Sequence, residues 1–348
     1  MSAEFAVPTV DISPYTGAGS DAAKREVARQ LEEACRTIGF IQVVGHAVPD
    51  DAIAGLASAM DGFFEKDLET KKQYVRPRPE NRGYTPPKTE SLSYSIGIDP
   101  VTRMNDFFEA FNVGITPADL EGGVDPAGYP ENPWPEHPDS FRPQVQRYFG
   151  EAQRVARTLT RIFADALGVD ASIFTPLTTN SLDVLRMNNY ALPPGDIELG
   201  ADLTGMGEHT DFGVVTVLWA DQVAGLQVLD QDGDWHDVQP ADGALLVNIG
   251  DVMARLTNDQ WISTLHRVKP PVIDGRIERR RSAAYFEDGC PTARIETLPG
   301  YIPEGTEPHY APVTVEEHVQ AKLLGIKALR RTEGATREAA RVARSTSV

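Results

Sequence analysis

His209-Thr210-Asp211 sets an imidazole and a carboxylate two residues apart at the head of an apolar run, Val214–Trp219. In an extended segment, side chains alternate with period 2, so the spacing predicts both groups on one face of a strand. By itself such a pair is most often a hydrogen-bonded histidine, and metal binding needs a third ligand from elsewhere. Among the later histidines, His236 follows the Asp232-Gly233 turn, where a solvated side chain is expected, and His309 lies near the tail. His266 differs, because Trp261–Val268 surrounds it with apolar residues. Two neutral imidazoles and one carboxylate leave adjacent positions open on a divalent metal, a set that suits ferrous iron and dioxygen. A zinc hydrolase uses a similar set, so the other groups in the same barrel decide.

Arg279-Arg280-Arg281-Ser282-Ala283-Ala284-Tyr285-Phe286 supplies such groups. Period 2 puts Arg280, Ser282, Ala284 and Phe286 on one side of a strand, with Arg281 and Tyr285 on the other. With Phe286 facing the core, Arg280 faces it too. A buried guanidinium beside a hydroxyl is a bidentate seat for a carboxylate, and it is costly to bury without one.

These residues need a scaffold, and the sequence patterns one. Apolar residues at helical spacing predict a helix over Asp21–Thr37. Gly39–His46 alternates as a strand, and Pro49-Asp50 opens a helix carrying Ile53, Leu56, Met60, Phe63 and Phe64. Asn105–Val113 reads as an aromatic strand between Pro- and Gly-rich loops, and Ser140–Leu167 as a long helix stopped by Gly168. From Asn180 onward come short strands: Leu182–Tyr190, Val214–Ala220, Leu226–Leu229, Trp235–Val238, Ala244–Asn248, Leu265–Val268 and Ser282–Phe286. Asp232-Gly233 signals a hairpin between two of them. Their spacing predicts a jelly roll. A helix over Val315–Thr332 follows, its Lys322, Lys327, Arg330 and Arg331 reading as a solvated face, with a loosely ordered tail from Thr336. The expected organisation is one compact unit: an α/β region over 1–130, a helical connection over 131–179, the β core over 180–300, and a C-terminal helix and tail over 301–348.

The 348 residues carry a formal net charge of −18, which argues against a nucleic-acid or anionic-membrane partner. Two cysteines, Cys35 and Cys290, allow neither a disulfide framework nor a four-thiolate zinc site, so a reducing cytoplasm is expected. No apolar run approaches membrane-spanning length, and the first residues lack a leader pattern. A monomer or homodimer is expected.

Taken together, His209-Thr210-Asp211, His266-Arg267-Val268 and Arg280-x-Ser282 resemble the iron(II)/2-oxoglutarate-dependent dioxygenases of the isopenicillin N synthase-like family. Gly39–His46, Val247-Asn248-Ile249-Gly250-Asp251 and the approach from Asn258 to His266 extend the likeness over almost the whole chain. Asn188 and Tyr190 match that family's Asn-x-Tyr element. Asn189 stands where the second aromatic is usual, Ala191 where proline is, and Gly45-His46-Ala47 where Asn-His-Gly is commoner.

The resemblance implies a mixed α/β, mainly β fold: a distorted double-stranded β-helix flanked by helices. It implies Fe(II) on His209, Asp211 and His266, with 2-oxoglutarate held by Arg280, Ser282, Tyr190 and Asn188, and O2 as oxidant. It further implies oxidation of an unactivated C–H bond of a small metabolite, by hydroxylation, desaturation or ring closure, with succinate and CO2 formed. Candidate walls for that substrate are Tyr84, Tyr94, Phe108, Phe212, Leu218 and Phe286. Two other readings stay open: a family oxidase that uses O2 without 2-oxoglutarate, and a non-catalytic jelly roll with a structural metal.

Overall fold

The computed structural model describes residues 5–87, 89, 108–191, 205–269, 272–273 and 276–328. Tyr94 and the start of the expected Asn105–Val113 strand lie outside them. In chain order the strands are β1 (Thr9–Asp11), β2 (Phe40–Val44), β3 (Gly83–Thr85), β4 (Glu109–Gly114) and β5 (Val184–Tyr190). Next come β6 (Met206–His209), β7 (Val215–Ala220), β8 (Leu226–Leu229), β9 (Trp235–Asp237), β10 (Leu245–Ile249) and β11 (His266–Val268). The hairpin β12 (Val272–Ile273) and β13 (Arg276–Ile277) leads to β14 (Arg280–Glu287), and a small pair, β15 (Arg294–Ile295) and β16 (Val313–Thr314), precedes the last helix.

Eight strands form one sheet in the order β1-β2-β10-β7-β14-β5-β4-β3, and four form a second in the order β6-β11-β8-β9. Among the described residues of these sheets, only β1 and β2 pair in parallel; the other neighbours are antiparallel. The N-terminal third therefore contributes β1 to β4 to the same sheet as the catalytic half.

Alternation explains how one sheet builds two environments. On one face Val215, Val217, Leu185, Met187, Ala283 and Tyr285 enter the main apolar core. They pack there with the helices Asp21–Thr37, Asp50–Phe64 and Phe141–Leu167. The long helix buries Val145, Tyr148, Ala152, Val155, Leu159 and Ile162 at helical spacing. Burying each of the Val, Leu and Ile side chains among them contributes roughly 1.5–3 kcal/mol. Gly168 ends this helix at φ +67°, a left-handed conformation that suits glycine, and its N–H donates back to the Ala164 carbonyl. The opposite face of the sheet looks across to the four-stranded sheet, and the space between them holds the site.

Three local expectations change. The strand that carries His209 is Met206–His209 and ends there, so Asp211 does not share it. His236 is not solvated: its ring is half-buried, stacks on Phe5 at 4.0 Å and bonds Asp230 at 2.6 Å. The C-terminal helix is described over Val315–Ala328, and its Lys322 is ion-paired with Asp251 at 2.9 Å rather than solvated. The Lys322 side chain is only 11% exposed there, because the helix turns that face toward the site. No helix among the described residues is long and apolar enough to cross a membrane.

Candidate active site

His209 ends β6 and His266 begins β11, and the two stand directly opposite each other in the antiparallel ladder. Their ring centroids are 4.2 Å apart. Asp211 is not on that strand. It lies in the connection that leaves the four-stranded sheet after His209 and enters the eight-stranded sheet at Val215. The His-x-Asp spacing therefore works through a crossing between sheets, which swings the carboxylate back toward both imidazoles, and not through strand alternation. Asp211 Oδ1 is 3.8 Å from His209 Nε2 and 3.7 Å from His266 Nε2. Candidate ligand atoms of all three lie within 4.8 Å of one another, and all three residues are buried.

Backbone carbonyls orient the rings. His209 Nδ1 lies 2.8 Å from the Gly207 oxygen and His266 Nδ1 3.1 Å from the Thr264 oxygen. Those contacts place the proton on Nδ1 and leave the Nε2 lone pairs facing Asp211. Burial, reinforced by the neighbouring His266, pushes the His209 imidazole well below its usual pKa, so it is held neutral as a metal ligand must be.

The far oxygen of Asp211 is held as well. Thr216 Oγ1 donates to Oδ2 at 2.5 Å and Asn248 Nδ2 at 2.6 Å. Thr216 and Asn248 are cross-strand partners on β7 and β10, so the sheet register delivers two donors to one atom. Neither is marked for this task by the sequence, although Asn248 lies in a recognised motif. Backbone contacts fix the loop itself: the Asp251 N–H donates to the Asp211 carbonyl at 2.8 Å and that of Val252 to the Gly213 carbonyl at 3.1 Å. This approach needs Gly250, where a Cβ would fall 2.2 Å from the Gly213 oxygen. Thr210 turns away and donates to Asp251 Oδ2 at 3.3 Å.

Arg280 is 2% exposed and faces the same space. It sits opposite Tyr190, its guanidinium 5.2 Å from that ring's centroid, and Ser282 sits opposite Asn188. Among the described residues, the Nε and Nη1 of Arg280 have no hydrogen-bond partner. A cation so buried is costly without a bound anion, so the residues present fit a carboxylate ligand. The triad, Arg280, Ser282, Tyr190 and Asn188 all line one cavity of about 120 Å³. Phe212, Leu218 and Phe286 line it too. Burial pushes the Asp288 carboxyl on this wall up to about 8, with Asp183 and Asp211 adding and Arg82 opposing.

Two expected wall residues lie elsewhere. Tyr84 packs in the helix-side core beside Phe63 and donates to Glu109 Oε2 at 2.5 Å, in a buried network with Lys71. Phe108 packs against two lining residues without lining the cavity itself, its ring 5.0 Å from the Arg186 guanidinium and 5.8 Å from the Tyr190 ring. Both are aromatic and near the right strands, which is all the sequence displays.

Comparison with known proteins agrees with this geometry. Residues 7–137 match the N-terminal model described as non-haem dioxygenase in morphine synthesis, and residues 182–288 match the 2OG-Fe(II) oxygenase superfamily. The chain is 34% identical over 323 residues to the 2-oxoglutarate-Fe(II) type oxidoreductase hxnY of Emericella nidulans, covering 91% of this chain and 89% of that one. It is 30% identical to validamycin A dioxygenase of Streptomyces hygroscopicus subsp. limoneus, over 91% and 85% of the two chains. Among solved structures, a putative 2OG-Fe(II) oxygenase family protein from Caulobacter crescentus superposes with a TM-score of 0.77 at 26% identity, over 92% and 99% of the chains. A full-length Neurospora crassa protein in complex with alpha-KG and 5-formyluracil superposes with a TM-score of 0.79 at 26% identity, over 93% and 97% of the chains. The chain belongs to the 2OG-Fe(II) oxygenase superfamily. It is accordingly an oxidoreductase that uses ferrous iron and 2-oxoglutarate, and the His-Asp-His cluster fits the iron.

Proposed function

We propose that His209, Asp211 and His266 hold the Fe(II), and that Arg280, with Ser282, Tyr190 and Asn188, receives the distal carboxylate of 2-oxoglutarate. When bound, the iron and its co-substrate supply O2-dependent oxidation of a C–H bond, with 2-oxoglutarate decarboxylated to succinate and CO2. The chain's own residues do the positioning. Thr216 and Asn248 engage Asp211 Oδ2 and leave Oδ1 toward the two Nε2 atoms. Arg280 supplies the positive charge that a dianionic co-substrate requires, from a site too buried for water to compete. Phe212, Leu218 and Phe286 give the cavity apolar walls that exclude water and orient a small organic substrate. Relatives named for validamycin A and clavatol support a role in specialised metabolism.

The observation that carries this reading is the buried Arg280 guanidinium, its Nε and Nη1 without a hydrogen-bond partner among the described residues, sharing a cavity with the His-Asp-His cluster. That arrangement favours use of 2-oxoglutarate over the oxidase alternative. The test is succinate release on turnover of a screened substrate: one succinate per product is expected, and turnover in the absence of 2-oxoglutarate would contradict the reading.

A further inference from the structure

Of the methionines among the described residues, Met60, Met187 and Met253 are fully buried in the helix-side core. Met206 differs. It opens β6, is 7% exposed, and lines the cavity that holds the His-Asp-His cluster, Arg280 and Tyr190. Its side chain belongs to an apolar group with Tyr190, Leu226 and Val268. Its sulfur accepts from the Tyr190 hydroxyl at 3.8 Å.

One sulfur atom therefore touches the hydroxyl assigned above to the distal carboxylate of 2-oxoglutarate. A thioether is a weak acceptor, which an incoming carboxylate displaces at small cost. A sulfoxide is a different neighbour, because it turns a soft apolar side chain into a polar one with a strong acceptor oxygen. In this apolar group such an oxygen has few donors to turn to. The Tyr190 hydroxyl already points at the sulfur, and the Arg280 guanidinium lies over the same ring at 5.2 Å. Both are donors of the proposed co-substrate seat.

We propose that Met206 is a site of oxidation by hydrogen peroxide, and that its sulfoxide closes the cavity to 2-oxoglutarate. Peroxide forms when dioxygen takes up two electrons and two protons with no substrate oxidised. The Met206 sulfur attacks one peroxide oxygen: the O–O bond breaks, the S–O bond forms, and the second oxygen leaves as water after a proton shift. Sulfur loses the two electrons that peroxide gains. The new oxygen accepts from Tyr190 and sets negative charge density where the distal carboxylate is to sit. The three core methionines are shielded from peroxide, so the reaction is selective among them. This inference rests on the assignment of Arg280 and Tyr190 to the co-substrate.

The test treats metal-free protein with hydrogen peroxide, removes the peroxide with catalase, and reads two quantities. Peptide mass spectrometry should find one added oxygen on Met206 ahead of Met60, Met187 and Met253. Anaerobic titration of the Fe(II)-reloaded protein, followed by the visible charge-transfer band, should show 2-oxoglutarate bound about 10- to 100-fold more weakly, the loss of one hydrogen bond to a charged group. Met206→Leu, of similar volume without the sulfur, should keep its own untreated affinity through the same treatment. Oxidation of the core methionines ahead of Met206, unchanged affinity with Met206 oxidised, or an equal loss in Met206→Leu would each overturn the inference. Where the leucine variant does not fold, partial treatments of the wild type decide: the weakened fraction should track the fraction oxidised at Met206, and no correlation overturns the inference. Absence of the charge-transfer band in untreated protein contradicts the cofactor assignment instead, and so reads separately.

Discussion

Replacing Arg280 by methionine sets two effects of one buried charge against each other. Arg280 is 2% exposed, its Nε and Nη1 lack a hydrogen-bond partner among the described residues, and its guanidinium lies over the Tyr190 ring. Exchanging such a group for an apolar side chain of similar length is expected to leave the apo fold equally stable or to stabilise it by about 1–4 kcal/mol. The co-substrate loses two charge-assisted hydrogen bonds at about 1.5–3 kcal/mol each, together about 3–6 kcal/mol, or roughly 10² to 10⁴ in affinity. Thermal unfolding with and without 2-oxoglutarate measures both. Arg280→Met should melt no lower than wild type alone and should lose most of the upward shift that 2-oxoglutarate gives. Arg280→Lys should fall between, keeping the charge without the planar fork. A methionine variant that melts several degrees lower in apo form, or that retains wild-type affinity for 2-oxoglutarate, refutes the reasoning.

Asn248→Ala removes one of two donors from Asp211 Oδ2, and Fe(II) affinity by anaerobic titration should fall about 10- to 100-fold, with Thr216→Val acting in the same direction. Lys322→Met strands the buried Asp251 carboxylate and should lower stability by about 3–5 kcal/mol, while the double variant with Asp251→Asn recovers much of it; equal melting of single and double variants counts against the pairing. His318 is held down at about 4 by burial, against an ordinary 6.5, with Asp251 opposing and Lys322 and Arg255 adding. In that window the unfolded chain binds the extra proton, so stability should drop by up to about 1.4 kcal/mol per unit as pH falls from 6.5 toward 4. His318→Gln should flatten that part of the profile, and an unchanged slope argues against it.

How much of this is legible in the sequence depends on which feature is asked about. The triad and Arg280 can be read because they sit in short motifs whose residue types are chemically loaded, and strand alternation correctly sends Arg280 inward and Tyr285 to the helix-side core. The same alternation argument, applied to His209 and Asp211, reaches the right pair for the wrong reason, since Asp211 lies in the crossing between two sheets. What stays hidden depends on register. Asn248 and Thr216 are 32 residues apart and meet at Asp211 only because β10 and β7 pair in one alignment. Lys322 reads as solvated because helical charge patterning says nothing about which neighbour covers a face, and Tyr84 reads as a wall because aromaticity does not distinguish a cavity from a core.

The central claim is that three side chains on two strands and one crossing hold the iron where 2-oxoglutarate meets it. Its most direct measurement is the visible charge-transfer band formed when 2-oxoglutarate is added anaerobically to the Fe(II)-loaded protein. Wild type is expected to show it at one iron per chain, and His209→Ala, Asp211→Ala and His266→Ala are each expected to lose it while remaining folded by circular dichroism. A folded alanine variant that keeps the full band with wild-type iron content would contradict the account.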